Sequence, residues 1–160
     1  MLKVNIICVG SLKEHYWKDA CREYQKRLSG CCVFNITEIG EERMPAAPSD
    51  AEIAARLAAE GKRILSRIPN GAAVIPLCIE GAEMTSEGLA KKMSHLALGG
   101  KGCICFIIGG SWGLSGEVKS RGDFALSFSP MTFPHQLARV MLCEQVYRAF
   151  QINLGSAYHK

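Results

Sequence analysis

The run Cys103-Ile104-Cys105-Phe106-Ile107-Ile108 breaks directly into Gly109-Gly110-Ser111-Trp112-Gly113. Six apolar residues in succession, too few for a helix and without polar alternation, indicate a strand covered on both faces. The glycines after it let the backbone turn tightly and let a ligand approach the main chain, since no side chain intervenes. A shorter run, Phe124-Ala125-Leu126-Ser127-Phe128-Ser129, leads into Pro130-Met131-Thr132-Phe133-Pro134-His135. A helical pattern follows from about Pro134, suited to a first-turn proline, to about Asn153, and the last residues are Tyr158-His159-Lys160. Two strand ends that deliver loops, then a helix bearing His135, Arg139 and Glu144, mark this third of the chain as the site.

Outward from there, strands and helices alternate. Leu2 to Val9, Cys32 to Ile39 and Ala72 to Ile79 are further apolar runs, the last ending in Glu80-Gly81. Helical spacing of apolar residues recurs from Lys13 to Leu28, in the segment opened by Ser49-Asp50-Ala51-Glu52, and from Ser86 to Leu98. Ser49 with Glu52 predicts a capping box, although Gly61 weakens the middle of that second helix. Ser115 to Ser120 predicts a short helical segment. Continuous rather than alternating apolar strands, separated by helices, predict an α/β fold: a mostly parallel sheet with helices on both faces. In such sheets ligands bind at the carboxyl ends of the strands.

The 160 residues suit a single domain, 1–160, with a net charge of +4 that permits an acidic partner without demanding one. No apolar run approaches the ~20 residues of a membrane helix, and the N-terminus lacks the features of a signal peptide, so a cytoplasmic protein is expected. The eight cysteines form no Cys-x-x-Cys pair and have no histidine at zinc-finger spacing, which predicts reduced core thiols and no metal site. The basic excess on the first helix is expected to be a solvated face.

The glycine cluster matches neither a dinucleotide fingerprint nor a P-loop. The loop Phe128 to Pro134 mixes hydroxyls with aromatic and Met groups, which would suit an adenine ring with a polar tail. The last helix is apolar nearly all round, as expected of one buried against other helices or a second copy of the chain. Glu144 and Arg148 are spaced for a structural ion pair. His135 and Arg139, at the helix's amino end where anions are favoured, suit either a site or a scaffold.

Several stretches together closely resemble the RlmH family of SPOUT-class RNA methyltransferases: Phe106-Ile107-Ile108-Gly109-Gly110-Ser111, Ala125-Leu126-Ser127-Phe128-Ser129, Met131-Thr132-Phe133-Pro134-His135-Gln136, Glu144-Gln145-Val146-Tyr147-Arg148-Ala149 and Ala157-Tyr158-His159-Lys160. The resemblance spans essentially the whole chain. It implies a deep C-terminal trefoil knot, a rare exception to unknotted chains. It implies S-adenosyl-L-methionine as methyl donor, held by Leu77 with Gly81, Gly109 with Gly110, and Phe128, Ser129, Pro130, Met131, Thr132 and Phe133. It further implies methylation at N3 of a pseudouridine in large-subunit (23S) ribosomal RNA, by a homodimer in which one subunit's tail completes the other's site; the mild net charge points to the assembled ribosome as the substrate, where shape supplements electrostatics. Arg139, His135, Tyr158 and His159 are the catalytic candidates. The chain departs from the family pattern at Cys78 and Ala82, where an acidic residue and a lysine are usual. Rival readings are a related methyltransferase acting on another RNA, such as a tRNA, and a ribosome-associated module without catalysis.

Overall fold

The computed structural model describes residues 1–159, the last of them without its side chain. In chain order the elements are β1 (Lys3–Val9), α1 (His15–Leu28), β2 (Val33–Ile39), α2 (Asp50–Arg67), β3 (Ala73–Glu83), α3 (Ser86–Leu98), β4 (Cys103–Ile108), α4 (Gly116–Arg121), β5 (Leu126–Ser127) and α5 (His135–Asn153), with a 3-10 turn at Ala157–His159. The strands form a five-stranded sheet in the order β2-β1-β4-β3-β5, and the pairings between them are parallel.

The central strand explains why its sequence is apolar throughout. Ile104, Phe106 and Ile108 point into a core built with Cys21 and Leu28 of α1, Leu89 and Met93 of α3, and Leu142, Cys143 and Val146 of α5. Cys103, Cys105 and Ile107 point the other way, against Ile64 of α2 and Val118 of α4. With both faces covered, period-two alternation disappears. Among the described residues the eight cysteines are free. Burial pushes the thiols of Cys8 and Cys105 up to about 12, so they pack as uncharged hydrophobes.

Ser49 does cap α2 reciprocally: its hydroxyl accepts from the Glu52 amide at 3.3 Å, and the Glu52 carboxylate accepts from the Ser49 amide at 2.8 Å. The helix runs unbroken through Gly61, whose missing side chain admits another element. A Cβ there would lie 2.5 Å from Oγ of Ser115, the residue that caps α4. Pro134 stands outside α5 as its N-cap rather than in its first turn.

Two strands differ from expectation, and both differences shape the site. β3 continues past Glu80-Gly81 to Glu83, while β5 shrinks to Leu126–Ser127. β3 pairs with β4 only from Ala73 to Pro76. It then pairs with β5 through Leu77 and again from Ala82, with a register shift between. Proline has no amide hydrogen for a ladder, so Pro76 is a fitting last partner for β4. Residues 78–81 form the irregularity, and such bulges redirect side chains next to functional sites.

Gly81 closes this bulge against β5. A Cβ there would lie 2.6 Å from the carbonyl carbon of Leu126 and 2.9 Å from that of Ala125, a clash with backbone that no rotamer relieves. Gly81→Ala is therefore expected to destabilise the fold by about 1–3 kcal/mol, the usual cost of overpacking. Urea unfolding measures this directly; an unchanged midpoint would contradict it.

Candidate active site

Where β3 leaves β4, a cavity of about 670 Å³ opens at the carboxyl edge of the sheet. This lies within the roughly 300–1,000 Å³ of small-molecule sites. Leu77 to Glu80 of the bulge form one wall, Ile108 to Ser111 after β4 form another, and the Phe128–Pro134 loop after β5 forms a third. Leu77, Gly109, Gly110, Phe128, Ser129, Met131, Thr132 and Phe133 all line it, together with His135. Gly81 and Pro130 are not among the lining residues; Gly81 is occupied in packing β3 on β5.

Gly109 must be glycine for a local reason. A Cβ there would lie 2.4 Å from the Gly113 carbonyl oxygen, because the loop doubles back into an antiparallel bridge between Gly110 and Gly113. The opposite loop is pinned by Ser129, whose hydroxyl accepts from the Met131 amide at 2.9 Å while its carbonyl accepts from the Ser127 hydroxyl at 3.2 Å.

Glu80 and Lys119 meet at the rim in an ion pair. The lysine hydrogen bond is the main reason the Glu80 carboxyl titrates below its ordinary value. Lys119 gave no sequence signal, since nothing in a six-residue helix marks which side faces a cavity. Cys78 also lines the cavity, and burial first, then the Glu80 charge, pushes its thiol up. A raised thiol pKa means less thiolate. Cys78 should therefore alkylate with iodoacetamide at pH 8 more slowly than free cysteine; an equal rate would contradict this environment.

Arg139, one of the catalytic candidates, is buried outside the cavity. Only 1% of the residue is exposed. Its guanidinium donates to Glu38 Oε1 at 2.6 Å and to the Gly10 carbonyl at 3.0 Å, and Glu38 also accepts from the Leu12 amide at 3.3 Å. An arginine so engaged does not reach into the cavity; it fixes the turn after β1. Arg139→Ala would strand the buried Gly10 carbonyl, at a cost of about 1–3 kcal/mol. A thermal or urea scan of that variant with no loss of stability would contradict the assignment.

Tyr158 lies on its own α5. Its hydroxyl donates to Glu144 Oε2 at 2.9 Å, and its ring stacks edge-on against Tyr147 and beneath Arg148. Burial and that hydrogen bond both raise its pKa, so the phenol stays protonated near neutral pH. Glu144 and Arg148 form the expected ion pair at 2.7 Å. The side chain of His159, and Lys160, fall outside the described residues, and with them the role expected of His159. Among the described residues no group of three His, Cys, Asp or Glu could hold a metal ion, and no helix is long and apolar enough to cross a membrane.

The chain matches the family described as "Predicted SPOUT methyltransferase" over residues 2–159. The chain is 50% identical over 159 residues to "Putative ribosomal RNA large subunit methyltransferase H" of Methanococcus maripaludis, and 48% identical over 159 residues to "Ribosomal RNA large subunit methyltransferase H" of Clostridioides difficile. Each alignment covers 99% of this chain and 100% of the relative. The chain thus belongs to the SPOUT methyltransferases and, within them, to the large-subunit ribosomal RNA methyltransferase H (RlmH) family. A solved Legionella pneumophila "putative methyltransferase" with bound cofactor SAM shares the fold, with a TM-score of 0.50 at 13% identity. That match covers 95% of this chain, which spans 66% of the Legionella protein's length.

Proposed function

We propose that this chain, as a single domain over residues 1–160, methylates N3 of a pseudouridine in large-subunit ribosomal RNA, using S-adenosyl-L-methionine and acting as a homodimer on the assembled ribosome. The observation that carries this reading is the meeting of the bulge, the glycine loop and the Phe128–Pro134 loop around one cavity. The lining fits the donor chemically. Leu77, Ile108 and Leu126 offer an apolar surface for an adenine ring, and Glu80 with Lys119 presents opposite charges for an amino-acid zwitterion. The chain path around this edge closes in this reading as the deep trefoil knot of its class.

S-adenosyl-L-methionine, when bound, supplies a sulfonium methyl group that leaves as the electron pair stays on sulfur, while the acceptor nitrogen gives up its proton. The protein's task is to hold the acceptor in line, exclude water and take that proton. His135 lines the cavity and carries an imidazole, the side chain most often used for proton transfer; it is assigned as the acceptor of the N3 proton. Tyr158, being protonated, serves as a hydrogen-bond donor.

Within one chain Tyr158 is remote from the cavity. Tyr158 contacts Glu144 and Arg148, which lie roughly 14–20 Å along α5 from His135 at 1.5 Å per residue. A second copy is therefore needed to bring a tail to the cavity. The incompletely covered Leu137, Val140 and Met141 on α5 supply apolar surface for the copy.

Two measurements test the reading. Titration calorimetry should show S-adenosyl-L-methionine binding, and incubation with assembled ribosomes should give a methylated pseudouridine in the large-subunit RNA by mass mapping; no binding, or a product on another RNA, would overturn it. A chain truncated before Tyr158 should still dimerise and bind donor but lose most transfer activity; full retained activity would sink the role of the tail.

A further inference from the structure

A second cavity, of about 470 Å³, adjoins the first. The two share Ser111 and His135. The first occupies the carboxyl edge over β4, β3 and β5; the second lies over β1, β2 and β4, between the turn Gly10–Lys13 and the segment Glu38–Glu41. The glycine loop after β4 and His135 divide them. The strand order reverses direction at the β1/β4 boundary, where open α/β sheets bind ligands.

We propose that this second cavity is the pocket for the acceptor base, a uracil-type ring turned out of its stack; the inference rests on the methyltransferase reading above. Enzymes that act on a base atom commonly extrude the nucleotide into a close-fitting pocket. The imide edge of a uracil-type ring presents two carbonyl acceptors around an N–H donor. Gln136 lines the cavity with a carboxamide that both donates and accepts, and Ser11 lines it with a hydroxyl of the same dual capacity. His135 faces both cavities, which is the position required of a group that takes the N3 proton at the ring edge and so frees the in-plane lone pair that then bonds the methyl.

The walls of this cavity are held by two buried arginines, each paired with a partly exposed glutamate. On one side, Arg139 and Glu38 fix the Gly10–Leu12 turn. On the other, Arg56, 7% exposed, donates to Glu41 at 2.6 Å and to Glu60 at 2.9 Å, and Glu60, 2% exposed, accepts from the Glu42 amide at 3.2 Å. Desolvating a buried guanidinium offsets much of its attraction to a carboxylate, so such pairs contribute little net stability. Two such clusters bracketing one small cavity are accounted for by the geometry they fix: both rims are set before a ligand arrives. Arg56 and Glu60 sit four residues apart amid the apolar residues of α2, a spacing that could have flagged them.

Gly40 offers a clean test, since it lines the cavity and a Cβ on it would meet nothing within 4 Å. Gly40→Trp should fill the pocket without disturbing the fold. With the full-length protein, three quantities are compared in wild type, Gly40→Ala, Gly40→Trp and Gln136→Leu: affinity for S-adenosylhomocysteine, binding to unmethylated assembled ribosomes, and methyl transfer to them. Gly40→Trp should keep donor-analogue affinity within about twofold and lose transfer by more than about 100-fold, the scale of a misplaced reactant. Gln136→Leu should fold normally, retain analogue affinity and transfer at least about tenfold more slowly, the loss of one well-placed hydrogen bond. Transfer by Gly40→Trp or by Gln136→Leu within about threefold of wild type would overturn the pocket assignment. So would parallel loss of analogue binding in Gly40→Trp, since the cavities would then not be separate sites. A wild-type protein that methylates no ribosomal RNA would instead sink the functional reading, and the acceptor pocket with it.

Discussion

The parting of β3 from β4 after Pro76 is the constraint on which the site depends. A parallel sheet zipped to its end would leave no room between its central strands. Here the ladder stops at Pro76 and Ile107, β3 bulges across Cys78–Gly81 to follow β5, and the opened wedge becomes the cavity. The Gly109 turn can fold back at the lip of that wedge only because its Cβ is missing, and Gly81 lets β5 approach closely enough to close the far side. Fold and site are thus one feature: the same residues that end one strand pairing begin the other and wall the pocket.

How much of this could be read beforehand follows from what periodicity encodes. The apolar run Cys103–Ile108 announced a strand covered on both faces, and Ser49 with Glu52 announced the start of α2, because each signal is local and each residue type has one dominant use. The carboxyl-edge loops were legible for the same reason. The bulge in β3 was not, since Ile79, Glu80 and Gly81 look alike whether a strand ends or shifts register there; only the partner strand decides. Gly61 looked like a weakness in α2 and is instead the place where the Ser115 cap of α4 nests.

Arg139 is the instructive case among the site residues. At the amino end of α5, beside a histidine and a ligand loop, an arginine has the chemistry of an anion contact. Its partner, Glu38, lies 101 positions away in sequence, and no local pattern connects them. Arg56 taught the reverse lesson, because its i,i+4 acid was visible and the structural consequence was not. Arg56 and Arg139 are turned inward to brace loops, while Ser11, Gln136 and His135 line the second cavity together with Lys13, Glu38 and Glu41.

The sharpest test of the central claim is a crystal structure of the protein grown with S-adenosylhomocysteine. The account requires the nucleoside to lie in the wedge between Leu77, Gly109 and the Phe128–Phe133 loop, with its sulfur directed toward His135 and the boundary with the second cavity. Density for the ligand outside that wedge, or a sulfur directed away from His135, would contradict it.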